Sequence, residues 1–419
     1  MLSRLLQPHS FIITGLIFLF IWVLHFLQLN MHYLDPFNNG LQDYEVTDIV
    51  YAYLKDQTYI PEDRVVLVNS GQVDRQKLAT LIQRLQAAEV KAIGLDILLS
   101  ELMDPKVDSA LQASIALKPN IVLACELHDQ DGDYQQFEQW VGVDPYFSEK
   151  AQLGFVNFPA NETKTIRIFS PKELVNFRAL PAFATALTGL YDSTAVKQLY
   201  KRKNDFERIF FTGNKDDYIR YEQKQILEDL SIAELKSVLK DKIVLVGFVA
   251  EDVWANPLMD RHYTPLNKNY GGKSIPDMYG VVIHANVISM ILEGNYIRAL
   301  PRWLTQLLTF LICYFNVLLI HWIYNKFHEA FHGIARAVQV VEFILLFFFI
   351  AMLFYFFRLR LEFGTGILAI LLAYDIIMIY ESLLKNRFPI LARIPDHISL
   401  PGTKRQKPKT KTSKEETKI

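Results

Sequence analysis

The hydrophobic positions of this 419-residue chain fall into two regimes. Four apolar runs, residues 11–29, 303–324, 337–357 and 363–384, carry few or no charges. A run of about 20 such residues, as an α-helix, spans a hydrocarbon core of roughly 30 Å. Each is therefore expected to be a transmembrane helix. The first has no small-residue cleavage site after it, since Leu29-Asn30-Met31-His32 follows, so it reads as an uncleaved anchor and not a signal peptide. Residues 30–302 lie between the first run and the second and have the mixed pattern of a folded soluble domain.

Within that domain Val46, Ile49, Val50, Tyr53 and Leu54 recur at helical spacing and predict a helix over residues 41–57. RVVLV (64–68), KAIGLDILL (91–99), NIVLACE (120–126) and KIVLVGF (242–248) are continuous apolar runs. Helical patterns over 74–89, 105–117 and 231–239 alternate with them. Continuous apolar strands separated by helices predict a parallel sheet covered on both faces. Residues 154–212 read as antiparallel strands around a helix at 180–190. The fold class expected is α/β, a Rossmann-like or mixed sheet, with four membrane helices around it: one N-terminal and three C-terminal.

Charge adds orientation. With the N-terminus inside, the inner face collects Arg4, Lys326, Arg336 and the lysines and arginines of residues 385–419, against Arg358 and Arg360 outside. Residues 1–10 and the basic tail, residues 385–419, are then expected in the cytoplasm, the tail disordered, and the soluble domain in the periplasm. The net charge of -1 averages a basic tail with a slightly acidic domain and excludes nothing. Cys125 and Cys313 fall in different regimes, so no internal disulfide is expected. A nucleic-acid partner is not expected, because no domain-scale basic patch with interleaved aromatics exists.

Six phrases then occur in order: GLDILLSE (94–101), GFVN (154–157), LPAFATAL (180–187), KDKIVLVG (240–247), YTPL (263–266) and GVVIHANVISMILEGNYI (280–297). Together, and lying between membrane helices, they resemble the CHASE type-2 domain, the cyclase- and histidine-kinase-associated sensory extracellular domain. The resemblance covers roughly residues 40–300 and extends to the three helices that follow. It implies an extracytoplasmic input module of a bacterial signalling receptor. The sequence departs from the family pattern at Asn69, where an acidic residue is common, and at NETKTIR (161–167), which replaces an Asp-Gly-rich turn. No cyclase or kinase sequence follows residue 384, so the expected output is a separate protein in the membrane or cytoplasm.

No G-x-G-x-x-G follows the first strand, and Tyr270-Gly271-Gly272-Lys273-Ser274 lacks the leading glycine and strand of a phosphate loop. H-E-x-x-H, paired C-x-x-C and G-x-S-x-G are also missing, so no enzyme, cofactor or metal is expected. Ligands of open α/β sheets sit outside the carboxyl ends of the strands. The ligand-binding candidates there are Asn69, Asp96, Glu101, Glu126, Glu251 and Asp252, whose acidic members suit a cation or basic ligand, or alternatively helix caps and structural ion pairs. His284 shares a helical face with Val281, Ile288 and Ile291, which makes it a packed residue or, with Asn286, a contact in signal transmission. In the membrane helices Asn316 and Asp375 lie at similar depth, and His321, Glu342 and Glu381 lie deeper. The expected contacts are Asn316 with Asp375, and His321 with Glu342 or Glu381.

The leading expectation is a multi-pass inner-membrane sensor with an unknown extracytoplasmic ligand and a separate partner. Self-association is compatible with it. The alternatives are a structural or assembly subunit of an envelope or transport complex and, more remotely, an extracytoplasmic enzyme acting through Asp96 and Glu101.

Overall fold

The structure is a computed structural model describing residues 7–26, 45–54, 63–71, 74–131, 136–159, 165–249, 260–268, 275–327, 329–361 and 363–395. By its internal contacts the chain divides into two units. One comprises Met1–Met31, Leu300–Phe349 and Leu361–Ile419, and the other His32–Ala299 and Ile350–Arg360. The helix α1 (Pro8–Phe26) belongs to the first.

The second unit begins with α2 (Val46–Ile49), which continues as a π-helical turn to Leu54. Then come β1 (Val65–Asn69), α3 (Arg75–Ala87), β2 (Ala92–Leu95), α4 (Pro105–Ala116), β3 (Ile121–Asp131), β4 (Gln136–Val141), α5 (Pro145–Ser148) and β5 (Gln152–Phe155). The middle of the unit holds β6 (Ile168–Phe169), β7 (Lys172–Val175), β8 (Arg178–Pro181), α6 (Phe183–Tyr191), α7 (Ser193–Lys201), β9 (Glu207–Arg208) and β10 (Ile219–Glu222). Its last part is α8 (Ile232–Leu239), β11 (Ile243–Gly247), β12 (Arg261–His262), β13 (Met278–Tyr279), α9 (Gly280–Glu293) and β14 (Arg298–Ala299).

The sheet is ordered β10-β1-β11-β2-β3-β4-β7-β8, with β5 also paired to β3. Strands β10, β1, β11, β2, β3 and β5 run parallel. Every residue of β1, β2 and β11 is buried, as continuous apolar strands covered on both faces must be. The four strands read as buried runs are thus neighbours. Strand β3 is longer than its apolar run because its second half leaves the parallel core and pairs antiparallel with β4. Helices start where polar side chains accept the free amides of the first turn: Asp74 for α3, Asp104 for α4, Asp192 for α7 and Ser231 for α8. The helix α7 was not apparent in the sequence pattern.

Two glycines bring α6 and α9 close to the sheet. A Cβ on Gly154 would stand 2.5 Å from the Phe183 Cα, and one on Gly247 would stand 3.0 Å from the Val281 Cβ. The motif glycines of GFVN and KDKIVLVG therefore permit the close approach of these two helices. Residues 280–291 of α9 are all buried, so this helix is enclosed all round and has no single inward face. That overturns the one-sided reading of His284 while keeping it in the core.

The first unit adds α10 (Arg302–Lys326), most of α11 (Phe331–Phe357), and α12 (Gly364–Ile379), which runs on through a π-helical turn to Leu384. Between α11 and α12 lies β15 (Leu359–Arg360), part of the second unit. Three helices, Arg302–Lys326, Phe331–Phe357 and Gly364–Arg387, are long and apolar enough to cross a membrane. The apolar α1, of 19 residues, packs with them through Ile13 and Ile17, against Cys313, Val317, Ala369, Ala373 and Ile377.

The polar contacts of this unit differ in part from expectation. Asn316 donates to Glu342, and Asp375 pairs with Arg336 at 3.1 Å, so Asn316 and Asp375 do not meet. Depth along a helix fixes height and not azimuth, and these two side chains are turned toward different neighbours. His321 Nε2 lies 3.2 Å from Glu381 Oε1, one of the two partners anticipated, and Lys385 bonds the same carboxylate at 3.1 Å. Met1–Leu6, the C-terminal residues 396–419 and the Tyr270–Ser274 segment lie outside the described residues.

Candidate functional site

The second unit contains a cavity of about 350 Å³ outside the carboxyl ends of β2, β3 and β5. This is where open α/β sheets hold ligands. Asp96 follows β2 directly, Glu126 lies in β3 just beyond its parallel pairing, and Phe158 follows β5. Asp260 and His262 come from the β12 region, and His284 from the first turns of α9. Five separate stretches of chain thus meet at one opening.

His284 is 3% exposed and held by rings: Phe158 stacks on it at 4.8 Å and Phe183 meets it edge-on at 5.1 Å. Neither of its ring nitrogens bonds a described residue. Burial, with the charge of His262 adding to it, pushes the imidazole down to about 3. His284 is therefore a neutral ring at any physiological pH and does not titrate near neutrality.

Asp96 is the complementary case. Burial, reinforced by the charge of Asp260, pushes its carboxyl up to about 8, and its side chain has no hydrogen bond or ion pair with a described residue. The Asp260 carboxylate lies beside the start of α9, where a Cβ on Gly280 would stand 2.9 Å from its Oδ1. Its Oδ1 is 3.7 Å from His262 Nε2. The site accordingly holds one carboxyl driven toward its neutral form, a second carboxylate near a helix N-terminus, and an unpartnered imidazole between aromatic rings.

Of the residues singled out from sequence, Asp96, Glu126 and His284 line this cavity. Glu126 sits at its more exposed side, 3.4 Å from His128. Asn69 does not line it: its amide donates to Glu222 at 2.7 Å and its carbonyl accepts from Gly71 and Val249, so it stitches strand ends together. Glu101 is exposed, and its backbone carbonyl accepts from Arg75 at 2.6 Å. Asn286 is fully buried and ties α9 to Thr212 and Gly213. Glu251 and Asp252 lie outside the described residues.

Phe158, Asp260, His262 and Phe183 were missed. The signal was adjacent: Phe158 follows GFVN, His262 precedes YTPL, and Phe183 is inside LPAFATAL.

A second cluster, also unread in the sequence, brings residues 45–48 of this unit together with residues 358–360. The buried Asp48 pairs with Arg167 at 2.7 Å, while Glu45 takes Arg208 at 2.7 Å and Arg360 at 3.5 Å. Burial raises the Glu45 carboxyl, but the hydrogen bond and charge of Arg208, with the charges of Arg360 and Arg167, outweigh it and hold the group below its usual range. Arg358 donates to Asn295 and lies 4.7 Å over the Phe210 ring. Strands β14 and β15 pair in parallel, Arg298 with Leu359 and Ala299 with Arg360.

The family model described as CHASE2 domain matches residues 13–322, most of the chain. The protein belongs to the CHASE2 family. No curated protein and no solved structure matches it. CHASE2 is a sensory extracellular domain family, and in this member the motifs frame the cavity: GLD carries Asp96, GFVN leads to Phe158, and GVVIHAN carries His284.

Proposed function

We propose that this CHASE2 protein is a bacterial inner-membrane sensor that takes a small periplasmic ligand in the carboxyl-edge cavity. Occupancy is passed to the membrane helices and from them to a separate output protein. The observation that carries this reading is the span of α9. Its first turns supply His284 to the cavity, and the chain leaving its other end provides Asn295 to Arg358 and β14 to β15. At about 1.5 Å per residue a 14-residue helix is roughly 21 Å long. An enclosed helix of this kind moves as a rigid rod, so a shift at His284 displaces the β14 pairing at the far end. The strand β15 and residues 350–357, which end α11, carry that displacement on along the chain.

The test uses the full chain in lipid nanodiscs and small-molecule fractions from bacterial periplasm. A stabilising fraction should raise the melting temperature of the wild type, lose its effect in His284→Phe, and alter hydrogen exchange at Arg298–Ala299 and Leu359–Arg360. Stabilisation that survives His284→Phe, or that leaves exchange at the paired strands unchanged, counts against the reading. Constitutive co-purification with a stoichiometric partner and no ligand response would favour an assembly subunit instead.

A further inference from the structure

We propose that the ligand of this cavity is a small organic cation, received by the Asp96 and Asp260 carboxylates with its apolar part against Phe158. This rests on the cavity being the sensory site. The described lining carries three carboxyl groups and two imidazoles but no lysine or arginine, so its field favours positive charge. The acidic groups alone do not make the case. His284 does: at 3% exposure it lines the cavity with both ring nitrogens unpartnered by described residues, although buried polar groups are ordinarily bonded. A ligand that enters supplies that partner.

The size and the geometry narrow the class. A volume of about 350 Å³ lies at the low end of small-molecule sites, which run from roughly 300 to 1,000 Å³. No group of three His, Cys, Asp or Glu side chains converges among the described residues, as coordination of a bare metal ion needs. Phe158 presents a ring to the same space, and aromatic faces attract ammonium groups. An organic cation uses both the volume and the ring.

Binding also has a proton balance. Before a cation binds, Asp96, raised to about 8, carries a proton near neutral pH. A cation seated against it stabilises the carboxylate, and the proton leaves to solvent. Affinity therefore rises with pH by up to about tenfold per unit below the titration of Asp96. Asp260, His262, Glu126 and His284 face the same space, so the profile is read against Asp96→Asn, which removes only the Asp96 contribution.

The experiment is calorimetric titration of the full chain in nanodiscs with choline, ethanolamine and guanidinium, alongside 3,3-dimethylbutan-1-ol as the uncharged isostere of choline, and magnesium. The expected result is binding of at least one organic cation. It should tighten about tenfold from pH 6 to pH 7 and weaken at least tenfold in Asp96→Asn, whose unliganded melting temperature is unchanged or higher. The isostere should bind at least tenfold more weakly than choline, and magnesium should not compete. Three results overturn the inference: no organic cation binding at millimolar concentration, equal binding of choline and its isostere, or cation binding unaltered by Asp96→Asn. Equal binding that His284→Phe abolishes would overturn the charge class while leaving the cavity as the sensory site.

Discussion

At the scale of single residues, Asp96 and His284 give the protein an asymmetric pH profile. The Asp96 carboxyl is raised to about 8 in the folded state, from an ordinary value of about 4, so the folded state holds its proton more tightly. Stability from this group is complete at low pH and is lost as pH rises from about 4 to about 8. His284 is depressed to about 3 from an ordinary value of about 6.5, so its contribution is complete above about 6.5 and lost as pH falls toward 3. The two slopes oppose each other between about 4 and 6.5, and above that the Asp96 loss stands alone. Thermal melts of the full chain should thus show a fall in stability from about pH 6.5 to pH 8 that disappears in Asp96→Asn. A wild-type curve flat over that interval would remove the premise that Asp96 is protonated. Sequence placed Asp96 at a sheet edge and His284 in a packed helix, but both states of charge come from enclosure by residues far away along the chain.

At the scale of elements, α6 lies directly on β5 and β2. Gly154 and Gly94 make room for it, and Phe183, the first residue of α6, is thereby set against His284. Gly154→Ala places a methyl 2.5 Å from the Phe183 Cα, a backbone atom that cannot turn aside. Overpacking of this kind costs about 1–3 kcal/mol. Chemical denaturation should show that loss, together with weaker ligand-induced stabilisation, because Phe183 moves with α6. A Gly154→Ala protein as stable as the wild type would mean that α6 sits further from β5. The parallel strands and most helices were legible from apolar runs and periodicity, since each depends on neighbours in sequence. The pairing of β4 with the outer half of β3, the edge strand β10 and the helix α7 were not, because short amphipathic segments gain their structure from the partner they meet.

At the scale of the whole chain, the second unit gathers two distant pieces: its own exit at Arg298–Ala299 and residues 350–360 at the end of α11. Arg358 and Arg360 fasten the second piece through Asn295, Phe210 and Glu45. The double variant Arg358→Ala, Arg360→Glu removes these contacts and sets a like charge against Glu45. Exchange of the Arg298 amide, which donates to the Arg358 carbonyl at 2.9 Å, should accelerate roughly tenfold, about 1.4 kcal/mol, with β1 and β11 still protected. Unchanged exchange would show that the strand pairing holds without these side chains.

The sequence by itself determined the two hydrophobic regimes, the parallel core strands, the family and three of the residues that line the cavity. Those follow from local quantities: the length of an apolar run, its period, and the order of short motifs. Only the tertiary structure decided that Asp96, Asp260 and His284 share one space, that Asn69 bonds Glu222 and Asn286 bonds Thr212 and Gly213, that Asn316 turns to Glu342 instead of Asp375, and that Arg360 and Arg358 close onto Glu45 and Asn295. Each of these is a meeting of side chains from separate elements. Strand register and helix azimuth set them, and neither is written in the spacing of any single stretch of chain.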